Sequence, residues 1–364
     1  MQQVRRLLGA IGVALALALL YLLLWPVPID PVAWAAPSDR GFVVPYDAND
    51  ALDFARAFDI TPHDGPEDIA AGIDGHLYST SADGSILRYD GRGKVELFAS
   101  TGGRPLGIEA MADGSLVVAN AYLGLQRIDR HGTVETLLDA DSGQPLPNAN
   151  DLAIGSDGTI YFSEASSKFS AASHGGSYAA SLLDIMEHGG HGRLIAFGPD
   201  QQTMRILLHG LNYANGVAIS DDQSFLLIAE TGAYRILKHW LSGPDAGATE
   251  VLLDNLPAFP DNINAGRNGR FWIGLIAPRN ALLDRYSGKP LMRKVLQRFP
   301  AQLRPRAVPH SQLIAINADG EVLMNLHDAS ARFPAITGAL ETADTLYLSS
   351  LFGQQLPYVR KQDL

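Results

Sequence analysis

A phrase that recurs along the chain constrains its fold more than any other feature. Each copy carries a carboxylate or an amide, then an apolar run, then Asp-Gly or a relative of it, then a second apolar run. The copies read GPEDIAAGIDGHLYST from Gly65, RPLGIEAMADGSLVVAN from Arg104, NANDLAIGSDGTIYFSE from Asn148 and YANGVAISDDQSFLLIAE from Tyr213. They continue as FPDNINAGRNGRFWIGL from Phe259 and, worn down, as FPAITGALETADTLYLSSL from Phe333. One such unit cannot bury its own apolar face, so six in a row predict radial repetition. The expected fold class is all-β, a six-bladed β-propeller in which equivalent residues of successive blades point at one central channel.

Composition narrows the function. No linker-like stretch divides the copies in the 364 residues, which favours one large repeat domain over 51–364. A net charge of −11 argues against nucleic acid as a partner, because binding polyphosphate needs a basic face. With no cysteine, disulfides and thiolate metal sites are excluded.

The first 25 residues address the chain to a membrane. Arg5 and Arg6 precede an uncharged, almost wholly apolar run over 7–24, which at about 1.5 Å per residue nearly crosses the hydrocarbon core. Residues 1–25 therefore read as an N-terminal transmembrane anchor. The arginines would stay in the cytoplasm and the propeller would lie on the periplasmic, lumenal or extracellular side. The rival is a cleaved signal peptide, for which Ala33-Trp34-Ala35 supplies small residues. Residues 26–50 form a Pro-rich stalk expected to dock onto the propeller rim. Two excursions, over 163–193 and 277–312, carry helical patterns in SLLDIMEHG, LLDRY and LMRKVLQRF. Such insertions belong to one face of a propeller, as a lid or a binding wall.

The chemistry begins just before the apolar residues Ile69, Leu152, Val217 and Ile263. There stand Glu67-Asp68, Asn150-Asp151, Asn215-Gly216 and Asp261-Asn262, read as turns that bring their oxygens together near the axis. Any one of these residues is explained by local hydrogen bonding in a turn. Turn chemistry does not require the same register of acid or amide in four blades. Converging carboxylates and amides are costly to bury unpaired, and a calcium ion, which takes six to eight oxygens, resolves that cost. Neither His nor Cys recurs at the position, which argues against zinc and copper. His174, His188, His191 and His310 lie in the insertions and read as solvated loop residues. Trp240, Phe271 and Trp272 read as blade packing.

GPED, PLGIEAMADG, NANDLAIGSDGTIYFSE, GRLIAF, YANGVAIS, AETGAYRILKHWLSG and LPAFPDNI, in this order over about residues 42–360, resemble the strictosidine synthase-like group. That group includes the adipocyte plasma membrane-associated proteins, and the wider superfamily holds gluconolactonases and paraoxonases, all six-bladed propellers. The resemblance implies a channel calcium on Glu67, Asn150, Asn215, Asp261 and Asn262, as in paraoxonases. It implies a second, deeper calcium on Asp68, Asp151 and the main-chain carbonyl of Ile108. Gluconolactonases use the positions of Glu67, Asn150 and Asp261 alone. Two departures stand out. The catalytic glutamate of strictosidine synthases falls at Thr337, with Glu341 four residues on, and the paired histidines of paraoxonases fall at Leu106 and Tyr122.

These readings point away from amine–aldehyde condensation and toward calcium-dependent hydrolysis of a small ester or lactone, with Asp261 as the base. The alternative is a non-catalytic propeller stapled by calcium that binds a small ligand or a partner protein.

Overall fold

The computed structural model describes residues 2–91, 93–141 and 143–364. Five four-stranded antiparallel sheets follow one another over 69–100, 105–138, 149–211, 214–253 and 258–327, as blades one to five. Blade six takes three strands from 336–341, 345–350 and 355–360, and its outermost strand is Arg56–Asp59 from the other end of the chain. Phe58 pairs with Leu356 in that strand, so the two ends of the repeat region are hydrogen bonded into one sheet and the ring is closed. The first strand of each blade packs against the first strands of its two neighbours, which places these six strands around the axis. The expected six-bladed propeller is present.

Burial explains why the repeats read as they do. The second strands, such as Leu116–Asn120 and Phe225–Glu230, are buried on both faces because blades cover them from either side, and they are correspondingly unbroken apolar runs. Outermost strands such as Val134–Leu138 and Thr249–Leu253 are half-exposed and carry the charges. The core is accordingly not central but lies between blades. Val117, Ala119, Phe162 and Ile195 join blades two and three; Leu227, Ile236, Ile273 and Ile314 join blades four and five. The Asp-Gly signals are tight turns: Gly75, Gly114 and Gly158 have φ of 81°, 83° and 86°, which only glycine adopts without strain. Asp113 Oδ1 accepts the Ser115 N–H and Asp157 Oδ1 the Thr159 N–H, each at 2.9 Å, closing the same turn in two blades.

Helix α1, Gln2–Leu24, is long and apolar enough to cross a membrane, and none of it is buried in the protein. Three further helices lie in the two insertions: α2, Ser177–Glu187; α3, Ala281–Arg285; and α4, Pro290–Arg298. Helix α2 ends on His188, which takes the left-handed conformation (φ 52°) before Gly189-Gly190 is reached. The stalk meets these helices before it meets the rim. Val32 N–H donates to the Glu187 carbonyl (2.9 Å) and Trp34 N–H to the Ser287 carbonyl (3.2 Å), and further along the Tyr46 carbonyl accepts from Gln312 Nε2 of blade five (3.0 Å). Arg293, 1% exposed, holds the crossing by donating to the carbonyls of Met186 (3.0 Å), Ser287 (2.9 Å) and Val32. The stalk expected at the rim is therefore first a strap across the insertions.

Candidate metal centre and its cavity

The oxygen-bearing pairs of blades three to five do not sit in turns, as expected, but inside the innermost strands. Pairing in those strands breaks between Ala149 and Leu152, between Ala214 and Val217, and between Pro260 and Ile263. The residues inside the three breaks are Asn150-Asp151, Asn215-Gly216 and Asp261-Asn262. The same irregularity separates Pro105 from Ile108 and Ile336 from Ala339. A bulge of this kind turns a side chain out of the pleat and frees backbone groups from the ladder. Here it brings Asn150, Asn215 and Asp261 to one cavity, and in blades two and four it frees an N–H for the neighbouring blade.

The freed N–H groups account for the deeper layer. Asp68 Oδ2 accepts from the Ile108 N–H of blade two (2.9 Å), and Asp151 Oδ2 from the Val217 N–H of blade four (2.8 Å). Their other oxygens accept from Asn264 Nδ2 (3.0 Å) and the Leu152 N–H (2.8 Å). Asn264 in turn accepts the Ala339 N–H of blade six (2.9 Å). Asp68 and Asp151 thus tie blades together, and a second ion there would share both carboxylates with these donors. Blade four carries Gly216 instead of a second acid because a Cβ there would overlap the backbone of Asn262 and Ile263.

The upper layer is different. Glu67, Asn150, Asn215 and Asp261, from blades one, three, four and five, line a single cavity, with Asn262 fully buried beneath them. Asn215 Nδ2 donates to Asp261 Oδ1, and Asn262 Nδ2 to the Glu67 carbonyl (3.1 Å). The amide nitrogens are therefore used, and the oxygens are left. Glu67 Oε2, Asn150 Oδ1, Asn215 Oδ1 and Asn262 Oδ1 are all buried without a hydrogen-bond partner. One orphaned buried acceptor costs about 1–3 kcal/mol, so three facing one cavity with a fourth on the neighbouring residue call for a partner there, water or an ion.

Electrostatics agrees. Burial pushes the Asp261 carboxyl up to about 7 and that of Asp68 up to about 6. Glu67 is raised well above the usual carboxylate range by burial, then by the charges of Asp261 and Asp68; Asp151 is raised by burial and by Asp68. Buried Arg104 offsets part of this at Glu67. Among the described residues no three His, Cys, Asp or Glu side chains form a metal-binding group, so an ion here would rest on two carboxylates and three amide oxygens. That donor set suits a hard cation such as calcium.

The insertions roof the cavity, as a lid. Tyr178, Leu182 and Met186 of α2, Leu283 of α3, and Pro305 and Arg306 beyond α4 form its upper wall, and its empty volume is about 820 Å³ with the mouth included. Of the four insertion histidines His188 and His310 are buried and His174 and His191 are half-exposed, and none lines this cavity. His188 stacks on Trp34 with ring centroids 3.9 Å apart, and burial pushes its imidazole down to about 3; His191 meets Glu187 Oε1 at 2.6 Å. His174 contacts the Ser170 carbonyl (2.9 Å), and buried His310 contacts Gln312 (3.0 Å). Phe271 and Trp272 are buried in blade packing, as expected, and Trp240 packs against Phe225.

A second ring went unread in the sequence. Two residues before each channel position stand Gly65, Arg104, Asn148, Tyr213, Phe259 and Ala335. Tyr213 and Phe259 line the cavity, while Arg104 Nη1 and both polar atoms of the Asn148 amide are buried without partners. The repeat register alone would have found this ring.

Comparison with known proteins decides the family. The family descriptions Strictosidine synthase and Strictosidine synthase-like, N-terminal, match residues 150–244 and 45–89. The adipocyte plasma membrane-associated protein of Bos taurus is 31% identical over 363 residues, 93% of this chain and 85% of its own. The chain belongs to the strictosidine synthase-like group. Protein strictosidine synthase-like 13 of Arabidopsis thaliana is 33% identical over 237 residues, 63% of this chain and 57% of its own. Among solved structures, a gluconolactonase from Xanthomonas campestris superposes with a TM-score of 0.60 at 16% identity, covering 92% of this chain and 98% of its own. Regucalcin from Agrobacterium tumefaciens, described as a calcium-binding protein, gives 0.57 at 11%, covering 84% and 93%. At such identities the likeness shows the propeller fold alone. In this strictosidine synthase-like protein Thr337 is wholly buried and bonded to the Glu67 carbonyl (2.7 Å) and Ser349 (2.8 Å), a structural hydroxyl. Glu341 is held at about 2 against its burial by Lys361, the Arg267 N–H, Trp272 and Arg270, and does not line the cavity.

Proposed function

We propose that this protein is a membrane-anchored, calcium-dependent hydrolase of a small ester or lactone. The observation that carries the reading is a set of four unpartnered buried oxygens: those of Glu67, Asn150 and Asn215, which line one cavity together with Asp261, and that of Asn262, the next residue in the chain. Calcium bound there would polarise a substrate carbonyl, a Lewis-acid role worth several kcal/mol. The names gluconolactonase and regucalcin among similar folds agree with a lactone substrate and a calcium ligand. The deeper pair, Asp68 and Asp151, serves as a tie between blades in this proposal, with one ion in the channel.

The chain's own residues do the remaining work. Asn215 holds Asp261 through Oδ1, and no hydrogen bond to Asp261 Oδ2 is found among the described residues. Asp261 Oδ2 is the proposed proton acceptor for the attacking water. The lid limits the water admitted above the floor and presents Tyr178 to the bound substrate. Arg5 and Arg6 keep the N-terminus in the cytoplasm, so the propeller lies on the opposite side of the membrane. The bonds from Arg298 to the end of α1 support an anchor retained in the mature protein.

The absence of an imidazole at Leu106 and Tyr122 favours the second reading, a calcium-stapled binding protein without turnover. Hydrolysis of phenyl acetate and a panel of lactones by the full chain in detergent, with and without chelator, separates the two. Turnover abolished by chelation is expected. No turnover on any of them, with calcium bound and the fold intact, overturns the hydrolase and leaves the binder.

A further inference from the structure

A second cavity lies at the foot of the membrane helix. Tyr21 and Trp25 form one side of it, Ala179 and Leu183 of α2 another, and Ala301 and Arg304 a third, around about 1160 Å³ of empty space with its mouth included. Leu182, Met186, Pro305 and Arg306 line this cavity and the channel cavity alike, so a single layer of lid side chains stands between the two.

Bonds fix this cavity to the end of α1. Tyr21 Oη donates to the Arg298 carbonyl (3.1 Å), and Arg298 returns its Nη1 and Nε to the carbonyls of Leu22 (3.0 Å) and Trp25 (2.5 Å). Those carbonyls are among the groups a helix leaves unpaired at its end. Tyr21 and Trp25 are 44% and 60% exposed, and aromatic rings at the end of a spanning helix settle at headgroup level. The mouth of the second cavity then opens in the interfacial layer. The same insertion exposes Leu291, Leu303 and Val308. Arg306 is exposed and, among the described residues, has no hydrogen-bond or ion-pair partner, although the chain as a whole carries −11.

We propose that this cavity is a port that takes the acyl chain of an anionic single-chain amphiphile from the bilayer and leads it past Leu182 and Met186 to the channel. The apolar side of the cavity, with Trp25, Val27, Ala179, Leu183 and Met186, receives the tail, and Arg306 meets the anionic head at the rim. Binding at the port rests on the anchor reading; only delivery to the channel rests on the hydrolase reading.

The test uses the full chain in phosphatidylcholine nanodiscs and the fluorescence of 11-(dansylamino)undecanoic acid as the probe. Saturable binding is expected. Ala179→Trp, at a position that lines the second cavity and not the channel, should weaken it at least tenfold while phenyl acetate turnover stays as in the parent. Ala301→Trp fills the cavity from the opposite side and guards against a local folding defect in α2. Arg306→Glu should weaken binding, and Arg306→Lys should keep it. Loss of saturable binding in the parent, or undiminished binding in both tryptophan variants, overturns the port. Because binding is read without turnover, failure of the hydrolase reading and failure of the port give different results.

Discussion

The side-chain amide of Asn215 donates through Nδ2 to Oδ1 of Asp261, across the boundary between blades four and five. That single bond orients both groups: it leaves the Asn215 oxygen buried and free, and it fixes the carboxylate at the cavity floor. Asn215→Leu removes the donor and one oxygen together. Calcium affinity, measured by isothermal titration, should fall about 10- to 100-fold, the range seen when a partner that orients a metal ligand is lost. Chelator-sensitive turnover should fall with it while the circular dichroism spectrum is retained.

Metal-free protein should lose stability as pH rises. The Asp68 and Asp261 carboxyls are raised to about 6 and about 7 in the folded chain, against about 3.9 when unfolded. Between those values the folded state binds more protons than the unfolded state, so unfolding free energy falls with increasing pH. In chelator, Tm should drop from pH 4.5 to 7.5. Saturating calcium, binding only the folded state, should restore about 3 kcal/mol at a hundredfold excess over Kd. The calcium-induced gain in Tm should therefore be larger at pH 7.5 than at pH 5, as read by scanning calorimetry.

Glu341 should matter for stability and not for chemistry. Its carboxylate receives Lys361 Nζ (2.5 Å), Trp272 Nε1 (2.8 Å), the Arg267 N–H (3.0 Å) and Arg270 at the boundary of blades five and six. Glu341→Leu leaves those donors without their acceptor and should cost about 3–5 kcal/mol. Calcium affinity measured well below the lowered Tm should not change.

The closing strand offers a test of the ring. Phe58 packs its ring 4.9 Å from that of Tyr358 and 5.9 Å from that of Tyr89, bridging the last blade to the first. Phe58→Ala should destabilise the protein by about 2 kcal/mol, less than the about 3–5 kcal/mol of a fully buried aromatic truncation because the ring is only half-buried. The loss should appear as a lower midpoint in urea with an unchanged slope.

The strands, the blade count and the helices at SLLDIMEHG, LLDRY and LMRKVLQRF were legible because each is written in local periodicity. Five oxygen-bearing positions were legible for a related reason: repetition carries one register from blade to blade. Their setting was not. Asn150 and Asn215 read as turn residues because a bulge has no local signature; it appears only when a partner strand is laid alongside. His188 read as solvated for the same cause, since Trp34, which covers it, lies more than 150 positions away in the chain.

Pattern and composition by themselves determined that the chain builds six sheets around an axis, brings carboxylates and amides to that axis, and carries a segment apolar enough to span a membrane. Only the tertiary structure decided which oxygens are left over. That outcome depends on the bulges, which hand the N–H groups of Ile108 and Val217 to Asp68 and Asp151 and leave Glu67, Asn150, Asn215 and Asn262 with none. It also decided that the strap lies across the lid and that the lid meets the foot of α1. Hydrogen-bond partners and cavity walls are contacts between residues far apart in the chain, and periodicity, being local, cannot specify them.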